Sequence, residues 1–258
     1  WQHLVYDSCN LCGRCSLVCP MGIDVAALIE ETRHAMFDAG LAPQELHDLA
    51  ANQFRTGSPN PDATPYQEQL EAIGREHGIA IPIDREDADI MVTVSSSEVE
   101  HYPGQIAALA RVMEHLSPAY TFLSEGLLAD NMAYYAGSRD WQRILSQRLI
   151  DAGRVAGVST VIVPECGHCY TALRWEAAEL IEEPLPFRVL HISEYLAEQL
   201  EQGNLRLKKA DTGSVTFHDP CQLVRKGGVT EAPRALMKAM GIEVLEPGPH
   251  IGFGYCCG

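Results

Sequence analysis

The chain has 258 residues, 46% of them hydrophobic, enough for one large domain or two modest ones with a sizeable core. Its 35 acidic residues against 19 basic ones leave a net charge of −16, which argues against a nucleic-acid-binding surface. A solvated acidic surface is the plain reading of that charge, and docking to a basic face of a partner is the other.

No run of about 18 apolar residues occurs, so no helix in this segment is expected to cross a membrane. No signal peptide is visible either. The chain starts at Trp1 and stops at Tyr255-Cys256-Cys257-Gly258, inside a cysteine group, so we expect a piece of a longer polypeptide.

The first cysteines end in Cys19-Pro20-Met21-Gly22. A helix is expected from about Asp24 to Ala39, with Val25, Leu28, Ile29 and Met36 roughly on one face and Gly40 as its stop. A second helix follows from Pro43 to Gln53. Residues 55–65 hold three prolines among turn formers and read as the linker between domains 1–60 and 61–258.

Beyond the linker, strand and helix alternate. Strands are expected at Ile90–Val94, Tyr120–Leu123, Thr160–Val163, Phe187–Leu190, Ser214–His218 and Glu243–Leu245. Helices are expected at Gln105–Leu116, Trp141–Ala156, Thr171–Ile181, Ser193–Gln202 (capped by Ser193) and Ala232–Met240. The alternation predicts parallel sheets with helices on both faces, in two lobes at about 84–185 and 186–258. The cysteines of this region lie just past strand ends, where the crevice of an open α/β sheet forms.

The nine cysteines are grouped, and an odd number at CxxC and CC spacings fits metal binding better than a disulfide framework. Such sites need a reducing compartment, which points to the cytoplasm. Cys9-x-x-Cys12-x-x-Cys15-x-x-x-Cys19-Pro20 is the strongest signal in the chain. A cubane 4Fe–4S cluster needs a thiolate at each corner, and cysteines at intervals of three wrap a short loop around one. Gly13 lets the backbone pass close to inorganic sulfide, and Pro20 turns the chain away. A structural zinc site more often uses two separated CxxC pairs. In two-cluster ferredoxins the fourth cysteine serves the other cluster. Cys19 therefore either completes this cluster or serves a partner motif outside the segment.

The second group is Pro164-Glu165-Cys166-Gly167-His168-Cys169-Tyr170, then His218-Asp219-Pro220-Cys221, then Cys256-Cys257-Gly258. Adjacent cysteines are poor partners for a mutual disulfide, because the ring would be strained. They suit two irons of one cluster, and a glycine after them relieves crowding.

These stretches, with Trp1–Leu4, Ala172–Trp175, Leu190–Glu194 and Arg225–Gly228, resemble the cysteine-rich CCG-domain proteins. That group includes the catalytic heterodisulfide reductase subunit, DsrK-type subunits, and the iron–sulfur subunits of glycolate oxidase and anaerobic glycerol-3-phosphate dehydrogenase. The resemblance covers nearly the whole chain and is nearest to the DsrK-like branch.

The resemblance implies an α+β chain: a small helical ferredoxin-like 4Fe–4S domain followed by a two-lobed α/β, parallel-sheet CCG-type domain. It implies one 4Fe–4S cluster held by Cys9, Cys12, Cys15 and Cys19. It implies a second, cubane or noncubane, held by Cys221, Cys256 and Cys257, with Cys166 as the good fourth ligand and Cys169 a weaker candidate. The first lobe has Ser95-Ser96-Ser97 and Tyr134-Tyr135 where cysteines would stand, so it is expected to hold no cluster of its own.

The functional expectation is an oxidoreductase or its electron-transfer subunit, acting on a thiol/disulfide at the second cluster through Cys256, Cys257, His218 and Arg225. A pure relay from a flavoprotein dehydrogenase to quinone is the alternative. Partners would be a membrane quinone-reactive domain or subunit, a flavoprotein or a thiol/disulfide carrier. Such partners would place the chain at the inner face of a membrane.

His168 and His218 are candidates for tuning the cluster or delivering a proton. Asp219 reads as a turn cap, Trp175 and Tyr170 as core, and His191 as structural. No nucleotide or flavin motif appears.

Overall fold

The computed structural model describes residues 1–127, 129–248 and 252–256. Cys257 and Gly258 lie outside the described residues, as do Leu128 and residues 249–251.

A π-helical turn, His3–Asp7, opens the chain. Helices α1 (Arg14–Val18), α2 (Val25–Asp38), α3 (Gln44–Thr56) and α4 (Tyr66–His77) follow. Asp24 caps α2 by accepting from the Ala27 amide. The stretch 57–65 is turn structure, but α4 follows it at once, a helix the Pro-rich run conceals. Its signal is in the chain all the same: Tyr66, Leu70 and Ile73 fall at helical spacing and are buried.

Strand β1 (Ile90–Val92) leads to α5 (Ser96–His101) and α6 (Pro103–Leu116). Helix α5 begins with a capping box: Ser95 Oγ accepts from the Glu98 amide at 3.2 Å and the Glu98 carboxylate accepts from the Ser95 amide at 2.8 Å. Then come β2 (Tyr120–Phe122), α7 (Met132–Ala136), α8 (Arg139–Ala156) and β3 (Thr160–Val163). A continuous helical run follows, α9 (Gly167–Thr171), a π-turn (Ala172–Glu176) and α10 (Ala177–Leu180). Strand β4 (Arg188–His191), α11 (Ile192–Glu201), a π-turn (Gln222–Lys226) and α12 (Glu231–Ala239) complete the described elements.

The strands form one four-stranded parallel sheet in the order β2-β1-β3-β4. Alternate residues feed two cores. Met91, Val161, Val163 and Val189 pack against Leu145, Leu149 and Ile150 of α8. Ile90, Val92, Ile162 and Leu190 pack against α4, α6 and Tyr195 of α11. Helices therefore cover both faces, as parallel pairing requires. From β1 the chain moves outward to β2 and then returns to the opposite side at β3. The ends of β1 and β3 thus form the topological switch point where a crevice opens.

The structure corrects some local expectations. Residues 214–218 and 243–245 form only an isolated parallel bridge, Val215 to Val244. That stretch has few buried side chains, so little packing holds a longer ladder. Helix α11 is capped by His191, whose ring accepts from the Ser193 amide at 3.2 Å, and not by Ser193. Trp175 is 55% exposed with its indole N–H on the Gly227 carbonyl, whereas Tyr170 is buried. Asp219 pairs with Arg234, which also holds Glu246.

Two stability predictions arise here. Gly137 has φ +93, and a Cβ there would lie 2.6 Å from the Arg33 backbone. Gly137→Ala is expected to cost about 2 kcal/mol by denaturant titration, because both the left-handed backbone and the contact are unfavourable.

His191 is held down to about 4 by burial, below its ordinary 6.5. Between those values the unfolded chain binds the extra proton and the folded chain does not, so stability rises with pH. The contribution is complete above about pH 6.5 and is lost as pH falls towards 4. His191→Asn keeps a capping side chain and is expected to remove up to about 3 kcal/mol of the stability change across that pH window.

Candidate functional site

The ferredoxin-like loop is built on local backbone geometry. Leu11 sits at φ +50, unusual for a branched residue, and is held there by burial to 1% exposure. Its amide lies 3.4 Å from Cys9 Sγ. Gly13 at φ +74 starts α1, which carries Cys15. Cys15 is exposed, while Cys9, Cys12 and Cys19 are half-buried.

Arg33 of α2 ties this loop to the body. It is 2% exposed, and its guanidinium donates to the carbonyls of Val5 (3.0 Å), Tyr135 (3.0 Å) and Cys9. Tyr6 Oη adds a bond to the Ala136 carbonyl at 3.0 Å.

The Cys166 loop leaves β3 at the switch point. The amide of Cys169 points at Cys166 Sγ, 3.5 Å away. Burial pushes the Cys166 thiol up to about 12. Cys169 is fully buried, with its thiol hydrogen-bonded to Thr93 in the core beneath the sheet edge. The opposite wall of the crevice, at the end of β1, is a carboxylate–hydroxyl network. Ser96 donates to Asp130 at 2.7 Å, Tyr66 donates to the same carboxylate at 3.3 Å, and Ser95 donates to Glu165 at 3.1 Å.

Four distant stretches meet beside this crevice. A Cβ on Gly167 would lie 2.9 Å from Gln222, so the Cys166 and Cys221 loops are in contact. Thr171 Oγ1 donates to the Gln222 carbonyl at 2.9 Å, and Gln222 Nε2 donates to the Leu11 carbonyl at 3.1 Å. Asn10 Nδ2 donates to Cys256 Sγ at 3.6 Å. The thiols of Cys221 and Cys256 share a hydrogen bond, Cys12 lies within electrostatic range, and burial with these neighbours raises Cys221 to about 11.

Arg225 closes the assembly. Its guanidinium donates to the carbonyls of Cys12 (2.7 Å), Gly252 (2.8 Å) and Gly254. Arg14 binds the Phe253 carbonyl at 2.8 Å and stacks on Tyr255 at 3.6 Å.

Tyr135, in α7, stands among the second group of cysteines. The thiols of Cys166, Cys221 and Cys256 all act on its phenol, which burial keeps protonated. Its hydroxyl lies 2.5 Å from His168 Nδ1, and burial holds that imidazole down to about 3. The phenol is therefore the donor and the neutral ring the acceptor. Tyr134 next to it is bound by Lys226 Nζ at 2.6 Å. His218 is exposed, beside Gly254.

The donor set fits iron–sulfur clusters. Soft thiols converge from separate segments, and the cations Arg33, Arg225 and Lys226 gather around them in a chain of net charge −16. Among the described residues no three His, Cys, Asp or Glu side chains converge tightly enough for a single metal ion. A cluster several ångströms across takes more widely spaced thiolates.

Residues 215–258 match the cysteine-rich domain family, CCG. The whole chain is similar to a dihydromethanophenazine:CoB–CoM heterodisulfide reductase subunit of Methanosarcina mazei, 27% identical over 97% of this chain and 61% of that one. It is also similar to Hdr-like menaquinol oxidoreductase iron–sulfur subunit 2 of Archaeoglobus fulgidus, 25% identical over 97% of this chain and 54% of that one. The chain is a CCG-domain homologue of these heterodisulfide reductase and Hdr-like iron–sulfur subunits.

EtfAB:quinone oxidoreductase of Syntrophomonas wolfei is 28% identical over 100% of this chain and 37% of that one. No solved structure matches significantly. The chain spans 61% of the length of the M. mazei protein. The CCG domain and the iron–sulfur subunits among these relatives imply iron–sulfur clusters. Among the described residues no helix is long and apolar enough to cross a membrane.

Sequence reasoning missed Asn10, Gln222 and Arg33. None carries a motif, because their roles arise only when remote segments meet. Tyr135 did carry a signal, since the resemblance leads one to expect cysteine around Tyr134-Tyr135.

Proposed function

We propose that this chain is the electron-transfer subunit of a membrane-associated redox complex, with one cluster in each cysteine group and a thiol/disulfide reacting at the second. The supporting observation is the contact of Cys221 with Cys256 beside Cys12, which sets the two groups side by side. Cys9, Cys12, Cys15 and Cys19 would hold the first 4Fe–4S cluster. Cys166, Cys221, Cys256 and Cys257 would hold the second. The core-facing thiol of Cys169 is the weaker candidate. When bound, the clusters supply one-electron transfer at close range.

The protein's own residues shape that site. Arg33 and Arg225 hold the two loops together and offset negative charge near the thiols. Tyr135 and His168 present a fixed O–H to nitrogen bond at the crevice. Reduction of a disulfide takes two electrons and two protons and yields two thiols. The electrons would enter from a partner through the first group, and the protons from solvent. Domains 1–60 and 61–258 would be the two cluster-bearing units, tied by Gln53, whose side-chain amide bonds the Leu127 carbonyl at 2.6 Å and the Met132 amide at 2.7 Å.

One observation favours the second reading, a relay between a flavoprotein dehydrogenase and quinone with no substrate of its own. Each guanidinium nitrogen of Arg225 already has a backbone carbonyl, and Lys226 is bound to Tyr134, so the cations expected to attract an anionic substrate are engaged.

The deciding experiment is EPR of the oxidised, anaerobically purified protein with and without small disulfides. A disulfide-dependent paramagnetic signal that disappears in Cys256→Ser supports thiol/disulfide chemistry. No change with any disulfide, together with fast reduction by a flavoprotein, supports the relay.

A further inference from the structure

The loop Cys9-Asn10-Leu11-Cys12 belongs to the first cysteine group, yet the Asn10 side chain reaches the second. Its Nδ2 donates to Cys256 Sγ at 3.6 Å. Three features hold the loop in place. Leu11 is locked at φ +50 and buried. Gln222, the residue after Cys221, donates to the Leu11 carbonyl at 3.1 Å, and Arg225 donates to the Cys12 carbonyl at 2.7 Å. The backbone that carries Asn10 is therefore held in place beside Cys256.

We infer that Asn10 is a positioning residue that sets the reduction potential of the second cluster from within the loop that holds the first. The inference rests on the two-cluster reading proposed for this chain. An N–H donor on a cysteine sulfur stabilises the more negative, reduced state and raises the potential. Asn10 is exposed, so water competes for the bond and the effect is moderate. The placement also has a kinetic meaning. The chain runs from Cys9 into Asn10 and across one hydrogen bond to Cys256, a short path from a ligand of one cluster to a ligand of the other. The second cluster can thus reach its working potential only when the first loop is ordered around its own thiols.

The test is an EPR-monitored redox titration of the anaerobically purified chain and of Asn10→Ala and Asn10→Asp, with iron content measured on each. In Asn10→Ala the second cluster's midpoint potential is expected to fall while that of the first is unchanged and iron content is that of the parent. In Asn10→Asp, where a carboxylate faces the sulfur, the fall is expected to be larger. Two results overturn the inference: unchanged potentials in both variants at full iron content, or a loss of iron and a shift in both clusters together, which a merely structural role would give. The two-cluster reading fails separately, and takes the inference with it, if Cys256→Ser retains the parent's iron content and EPR spectrum.

Discussion

Arg33→Met is expected to destabilise the folded chain by about 4 kcal/mol and to strip iron from the first cysteine group before the second. The side chain is 2% exposed and donates to the carbonyls of Val5, Cys9 and Tyr135, with Tyr6 stacked on it at 4.9 Å. Methionine keeps the aliphatic stem but takes the donor from the buried Val5 carbonyl, worth about 1–3 kcal/mol, and from the half-buried carbonyls of Cys9 and Tyr135, worth less. The cost of burying the guanidinium offsets part of the loss, and burial lowers its pKa accordingly. Arg33→Lys is expected to recover little, because one ammonium cannot span acceptors fixed in a fork. Denaturant titration of the anaerobic protein, read with iron analysis, checks both halves. A change below about 1 kcal/mol with full iron content would contradict the anchoring role.

Arg225→Met is expected to cost about 3 kcal/mol and to speed the release of iron from the second group to a chelator several-fold. Arg225 is the only described side chain that donates at once to the Cys12 loop and to the segment leading into Cys256. Losing it removes the clamp between the Cys12 carbonyl and residues 252–254, while Arg14 on the Phe253 carbonyl and Asn10 on Cys256 remain, so Cys256 is presented less firmly to Cys221. Arg225→Lys again restores only one contact. The result separates two roles for this residue. A substrate-binding arginine would leave stability and iron content intact and raise only KM. A clamp lowers stability even when no substrate is added.

Much of this protein is legible without coordinates. Short apolar runs locate all four described strands and period-3.6 patterns the long helices α2, α6 and α8, because a strand buried on both faces is apolar throughout and a helix buries one stripe. Cysteine spacing in the Cys9–Cys19 loop and the CCG stretch names the chemistry, because a cluster draws its ligands from a narrow choice of loop geometries. The S-x-x-E capping box at Ser95 and the apolar face of α4 were equally available, but turn-forming prolines and a run of serines masked them.

The tertiary structure decided the rest. No pattern in the chain places Asn10 against Cys256, Gln222 against Leu11, or Arg225 between Cys12 and Gly252, since these pairs lie far apart in sequence and meet only through the β1–β3 switch point and the packing of α9 on the Gln222–Lys226 turn. Tyr135 likewise becomes a site residue only because α7 brings it among Cys166, Cys221 and Cys256. Local sequence specifies which atoms can bind a cluster, whereas the distance between two such sets depends on the whole chain's packing, which no short stretch encodes.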